Sequence, residues 1–531
     1  MLLAPALGAG VLMLLPAAKV RLIRNTATGF AIAAFILSCL AASWFNWNAP
    51  GGYGHTVQLS TDVEWISSLH VHYFVGVDGL SLPLVLLTTA ISVLACFASY
   101  SIEKNVRGYF ALLLLLLAGM LGVFIALDLM LFYVFFEISL FPMYFLIGIW
   151  GGPRKEYAAI KFFLFTLVGS IGMLIAIIGL YQYTKTLPGM ENNPFNMMAL
   201  ATNTHVHNLF TPGFVPTADS PFSLATHAAA VGFAGIAFWL LFVGFAVKVP
   251  CVPLHTWLPD AHVEAPTPIS MVLAAVLLKM GGYGLLRVLY PIFPQQAQQF
   301  WFWVALVGVV SCVYGALCAM AQKDFKKLVA YSSISHMGYV VLGISIMTPM
   351  GYQGAMFQMI AHGISSAMMF YIVGVIYERA HHRDIPRLGG IWSQMPGYTG
   401  WATVGVFASM GLPGLCGFVG ELLVLMGVFG ASKDSAIVAA NPAAGHDLIV
   451  LGVLAALTII LTAGYLLWVM QRVYMGAPKP EYAHFPQLSR RETGILATLG
   501  LAAVVFGVLP SILLGPIMPT IESMLKLVAV H

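Results

Sequence analysis

Apolar runs of about 20 residues recur from one end of this 531-residue chain to the other, the length of helix that crosses about 30 Å of hydrocarbon. Nothing else in the sequence restricts the fold so strongly. A segment in lipid must pair its own backbone N–H and C=O groups, so it is either a helix or part of a closed barrel. Runs this long and continuous fit the helix. Composition agrees, with 60% of residues hydrophobic and only 8% charged, against about 25% charged in a soluble domain. So little charge cannot coat a water-facing surface, and the outer face must meet lipid. We count about fourteen runs, which predicts an all-α, polytopic transmembrane helix bundle with no soluble domain.

Charge alternates between the connecting loops. Lys19, Arg21 and Arg24, then Lys104 and Arg107, Arg154 and Lys155, Lys323, Lys326 and Lys327, Arg379, Arg383 and Arg387, and finally Arg472, Lys479, Arg490 and Arg491 occupy every second loop. The loops between them, including 48–75 and 185–227, are nearly free of Lys and Arg. The basic loops are expected on the cytoplasmic side, which puts both termini on the outer, periplasmic side of a cell inner membrane. The first run starts at Met1 without a basic leader, so it reads as a retained span and not a cleaved signal. The six cysteines form no CxxC pair and behave as small hydrophobes.

Two spans are interrupted. GFAVKVPCVPLHTWLPDAHVEAPTP holds Pro250, Pro253 and Pro259, and MGLPGLCGFVGELLVL has Pro413 and Gly414 at its middle. Proline removes a backbone donor and clashes with the preceding turn, and in lipid the freed carbonyls need protein or water around them. Paired broken helices are the mark of an inverted-repeat transporter core. The expected organisation is spans 1–3 over residues 1–106, a first repeat over 107–292, a second over 293–475, and a last span over 476–531.

Six ionisable residues lie deep inside apolar runs: Glu137, Lys248, Lys279, His336, His362 and Glu421. Glu137, for instance, is nine residues past Asp128, roughly 13 Å along a helix and near mid-bilayer. A charge at that depth costs at least ~2.5 kcal/mol on insertion scales. A structural polar contact between helices is the plain alternative for either histidine. It is a poor account of Glu137, Lys248 and Lys279 together, because Ser, Thr or Asn would serve at lower cost. A Lys–Glu pair that opens and closes has a switchable proton affinity, and neutral His passes protons near physiological pH. Ser332, Ser333, Ser335, Tyr339, Ser365 and Ser366 flank the histidines and suit the ordering of water. The row therefore reads as a proton-conducting path. His255 and His262, with Asp260 and Glu264, stand at the basic end of the first break and read equally as proton uptake, hinge or interfacial loop. No GxxxxGK[ST] or post-strand GxGxxG loop occurs, so no nucleotide site is expected. His381 and His382 read as a solvated loop, and no metal site is expected.

The segments FFEISLFPMYFLIGIWG, KVPCVPLHTWLPDAHVEAPTPISMVLAAVLLKMGGYGL, DFKKLVAYSSISHMGY and QMIAHGISSAMMF resemble the antiporter-like membrane subunits of respiratory complex I over roughly residues 75–475. Glu421 stands in the second broken helix, where two of the sibling subunits are expected to carry Lys, and the chain ends soon after its last span without a long lateral helix. Both features point to the third sibling. The resemblance implies proton translocation coupled to quinone reduction elsewhere in a respiratory-chain translocase. In it Glu137 and Lys248 would form an ion pair, Lys279 would be the central relay, and His336 and His362 would lead to Glu421. It also implies partnership with the other membrane subunits, the sibling antiporter-like ones among them. This chain would hold no cofactor; FMN, iron–sulfur clusters and quinone would sit in other subunits. The rival readings are a stand-alone or Mrp-type cation/proton antiporter subunit, a bis-histidine haem protein with His336 and His362 as axial ligands, and a passive scaffold.

Overall fold

A computed structural model of the chain describes residues 1–47, 57–212, 214–216, 220–482 and 484–529. Among them, thirteen helices are long and apolar enough to cross a membrane, and the shorter apolar helix Leu3–Leu14 brings the segments to the expected number. In chain order the helices used below are α1 (Leu3–Leu14), α2 (Val20–Trp44), α3 (Ser81–Ala98), α4 (Val106–Ile125), α5 (Leu129–Ile138), α6 (Leu140–Trp150), α7 (Lys155–Thr184), α8 (Leu224–Lys248) and α9 (Trp257–Glu264). They continue with α10 (Thr267–Ile292), α11 (Pro294–Met320), α12 (Phe325–Ser345), α13 (Pro349–Ala380), α14 (Pro396–Met410), α15 (Cys416–Ala431), α16 (Ala444–Tyr474), α17 (Arg490–Val508) and α18 (Ser511–Ala529).

The sequence explains where the spans start. Asp128 accepts from the N–H groups of Met130 and Leu131 and caps α5. Asp324 caps α12, Thr348 followed by Pro349 opens α13, and Ser489 with Glu492 forms a capping box on α17. Each satisfies donors that the first helical turn leaves free.

α10 and α13 are buried along their whole crossing length and form the centre of the bundle. The peripheral spans turn apolar side chains outward. Ile160, Leu164, Val168, Ile171, Ile175 and Ile178 make one exposed stripe on α7, at the spacing of a single helical face. The chain is thus a multi-pass, all-α membrane protein.

The loop expected at 48–75 is, over its described part, an antiparallel hairpin of β1 (Gln58–Ile66) and β2 (Val71–Val77); residues 48–56 lie outside the described residues. The last span expected over 476–531 is two helices, α17 and α18, the second holding Pro516 and Pro519 within it.

Both breaks are present, and their freed groups are paired within the protein. Between α8 and α9 the indole of Trp257 donates to Val247 O (2.9 Å), and Val252 N–H donates to the Ser311 hydroxyl of α11 (3.0 Å). Between α14 and α15, Gly411 and Gly414 take φ values of +77° and +91°, a conformation that L side chains rarely adopt. Gly417 packs so tightly that an added Cβ would stand 2.1 Å from Ala408 O.

Candidate functional site

Glycines set how closely the charged helices approach. A Cβ on Gly281 would lie 2.7 Å from Phe245 O, and one on Gly282 would lie 2.6 Å from Met359 Sδ. Small residues at these positions let α10 press against α8 on one side and α13 on the other. Lys279 is carried between them at the helix centre.

α10 is not a regular helix there. Leu273–Leu277 and Leu285–Leu289 are π-helical, and such turns often mark functional sites. The Lys279 ammonium, fully buried, donates to Ala274 O (2.6 Å) within the first of them and to His362 Nδ1 (2.7 Å) on α13. The His362 and His336 rings lie 5.6 Å apart, centroid to centroid. His336 Nδ1 is 2.9 Å from Glu421 Oε1, and both side chains are buried. Glu421 Oε2 faces Gly411 at the second break. Four of the six residues named from the sequence therefore stand in one contiguous row, Lys279–His362–His336–Glu421, crossing from α10 through α13 and α12 to α15.

Glu137 and Lys248 form a separate group. The carboxylate of Glu137, half-buried on α5, has Ser170 and the Lys248 ammonium as its neighbours. The implied ion pair is not closed here: among the described residues the buried Lys248 ammonium makes no hydrogen bond and no ion pair within 4.0 Å, and it sits 4.6 Å from the centre of the Phe136 ring. A cation over an aromatic face retains part of its stabilisation without a counter-ion.

His262, left open between three roles by the sequence, is fully buried and stacked on Phe370 at 4.1 Å, with neither ring nitrogen hydrogen-bonded. Its neighbours Asp260 and Glu264 are committed to Lys161 (2.7 Å) and to Arg154. Lys326, read from sequence only as a loop charge, is buried with its ammonium donating to Ala265 O. It lines a cavity of about 190 Å³ on the basic face with Glu264, Thr267 and Arg383. Its place in the first turn of a wholly buried helix was the available signal, but only the packing separates it from Lys327.

A smaller cavity of about 10 Å³ touches Ser332, Ser333, His336, His362, Ser366 and Ser409. The Nε2 atoms of both histidines and the Ser366 hydroxyl have no hydrogen-bond partner. That volume is about one water molecule, far too small for a macrocycle between the two rings. With the two rings 5.6 Å apart, a bis-histidine haem does not fit.

Comparison with known proteins agrees with this architecture. Residues 126–444, well over half of the chain, match the family of NADH:quinone oxidoreductase/Mrp antiporter transmembrane segments, and residues 9–126 match the amino terminus of NADH-ubiquinone oxidoreductase chain 4. The NADH-quinone oxidoreductase subunit M of Rhodobacter capsulatus is 40% identical over 93% of this chain and 89% of its own length. An NAD(P)H-quinone oxidoreductase chain 4 of Trichormus variabilis is 37% identical over 96% and 87%. Among solved structures, a chain of respiratory complex I from Thermus thermophilus superposes with a TM-score of 0.81 at 29% identity, covering 99% of this chain and 98% of that one. A chain of the Mrp complex from Dietzia shares the fold at 18% identity and a TM-score of 0.79.

Paired broken helices framing buried ionisable groups define the antiporter-like class of membrane subunit. Within that class, the chain belongs to the family of NADH-quinone oxidoreductase subunit M.

Proposed function

We propose that this chain translocates protons as a membrane subunit of an NADH:quinone oxidoreductase, and that the row from Lys279 to Glu421 is its conducting element. The observation that carries the reading is the row's geometry, with Lys279 bonded to His362, His336 to Glu421, and the two imidazoles 5.6 Å apart between them.

The partners assign the tautomers. His362 Nδ1 accepts from Lys279, so its Nε2 carries the hydrogen. His336 Nδ1 faces the Glu421 carboxylate and donates to it, so its Nε2 is a free acceptor. Both histidines line the water-sized cavity, and their Nε2 atoms are without a partner among the described residues. A water there accepts from His362 Nε2–H and donates to His336 Nε2. A proton passed from Lys279 to His362 Nδ1 then releases one from His362 Nε2 to the water. The water passes one to His336 Nε2, and His336 releases its Nδ1 proton to Glu421. Each imidazole gains one proton as it gives up another, and each ends in the other tautomer.

His262, between the basic-face cavity and Lys279, supplies the uptake side. The Glu137–Lys248 pair acts as the switch, and its open form leaves the Lys248 ammonium against the Phe136 ring. The residues on either side of the two breaks, 107–292 and 293–475, act as two inverted repeats. The chain lies in a cell inner membrane with the basic loops inside and both termini outside. It works beside sibling antiporter-like subunits, while FMN, iron–sulfur clusters and quinone chemistry belong to other subunits.

The test is the ratio of protons moved to electrons transferred, measured on the whole complex in vesicles. Lys279→Ala and Lys248→Ala should each lower that ratio while the complex still assembles. An unchanged ratio in Lys279→Ala refutes the path, and Na⁺-dependent flux by this chain alone would favour the antiporter reading instead.

A further inference from the structure

Lys279 has two ways to lose a proton away from the basic face: sideways to His362, or straight along its own helix. The second way is blocked by a group outside the row. Arg287 lies eight residues further along α10, about 12 Å toward the hairpin side. Tyr283 is the one polar side chain between them. The Tyr283 hydroxyl donates to Phe124 O (3.1 Å) and accepts from Arg287 Nε (3.1 Å). The Arg287 guanidinium pairs with Asp78, both side chains being fully buried. The other carboxylate oxygen of Asp78 accepts from the N–H groups of Leu80 (3.1 Å) and Ser81 (3.0 Å) at the start of α3.

The contrast with the row is in hydrogen-bond saturation. On the basic side of Lys279 and sideways from it, polar atoms are left over: both nitrogens of His262, the Nε2 atoms of His336 and His362, and the Ser366 hydroxyl. A chain of such atoms can order water and relay a proton. Toward the hairpin, Tyr283, Arg287 and Asp78 are spent on one another and on the backbone. The Tyr290 hydroxyl, which has no hydrogen-bond partner, lies beyond them. Arginine adds a charge that does not titrate, and a fixed cation in a narrow passage repels a proton.

We propose that Tyr283, Arg287 and Asp78 form a barrier that closes the direct route from Lys279 to the hairpin face, so that its proton leaves only through His362. The proposal rests on the proton-path reading above. It gives Arg287 a role that a structural ion pair does not have, and that role is asymmetric. Arg287→Gln removes the fixed charge and leaves the Asp78 carboxylate facing a neutral amide. Asp78→Asn is equally conservative in shape but keeps the guanidinium. A purely structural pair would suffer alike from either change.

The experiment is the decay of an imposed pH step across vesicles holding the intact purified complex, without NADH or quinone. Arg287→Gln should raise passive proton permeability by about tenfold, the low end of what a focused fixed charge does to local cation access. Asp78→Asn should stay as tight as wild type, and adding Lys279→Ala to Arg287→Gln should restore tightness. Equal leak in both single variants, or none in Arg287→Gln, overturns the barrier. If Arg287→Gln does not assemble, a leaking Asp78→Asn complex overturns it alone. An unchanged proton-to-electron ratio in Lys279→Ala, by contrast, sinks the path reading itself, a failure told apart from the barrier's because it does not depend on the leak of Arg287→Gln.

Discussion

Glu421 shows how much one side chain decides. Its Oε1 lies 2.9 Å from His336 Nδ1, and its Oε2 rests against Gly411, a glycine with positive φ at the second break. Glu421→Gln keeps the shape but, on the proposed path, could not take a proton from His336. Proton-coupled quinone reduction should fall by about tenfold or more, since a positioned acid–base group contributes at least that much. The proton-to-electron ratio and the turnover rate together check this, and normal values for both would remove Glu421 from the path. At this scale the sequence was informative, because burying an ion in lipid is costly enough to need a reason. It was silent on contact. Lys279, His362, His336 and Glu421 touch across four helices, whereas Lys248 and Glu137, expected to touch, leave the ammonium on Phe136.

The broken helices carry their polar interruptions because the protein supplies the missing partners. Trp257 serves Val247 O at the first break, and glycine serves close approach at the second. Gly417→Ala should destabilise the protein by about 1–3 kcal/mol, the usual cost of overpacking, since its Cβ would strike a backbone carbonyl that cannot swing away. Gly397→Ala, where a Cβ meets nothing within 4 Å, should be tolerated. Thermal unfolding of the purified complex separates the two, and equal midpoints would mean the break is softer than its geometry. The prolines announced both breaks in the sequence. The π-turns on either side of Lys279 and Tyr283 had no such signal, because an extra residue in a helical turn follows from the packing around it and not from a residue type.

Across the whole molecule the hairpin is the part that joins separate helices on the face opposite the basic loops. Its His72 Nδ1 pairs with the Asp62 carboxylate (2.6 Å) and its Nε2–H donates to Asn192 O (3.1 Å), while the His72 backbone N–H donates to Asp128, the cap of α5 that lies nine residues before Glu137. β2 leads directly into Asp78 and so into Arg287. Burial alone would lower the His72 pKa, but the hydrogen bond and charge of Asp62, with Asn192 O and Asp128, outweigh it and raise the value above 6.5. A raised histidine stabilises the folded form below about pH 6.5, and the contribution is lost as pH climbs through the raised value. Hydrogen exchange in residues 58–77, corrected for intrinsic rates, should therefore quicken from pH 6.5 upward, and His72→Gln should flatten that trend. A trend that persists in His72→Gln would assign it to another group.

The sequence by itself determined that the chain is a many-span helical membrane protein with two broken helices and buried ions that need a purpose. Lipid enforces those features locally: it demands helices of a set length, punishes charge and exposes every break. Tertiary structure decided which ions meet. Helix rotation and the glycine contacts along α10 place Lys279 on His362, spend Arg287 on Asp78, and leave a water-sized space lined by two histidines. These are distances between helices far apart in the chain, and they arise only when the helices pack.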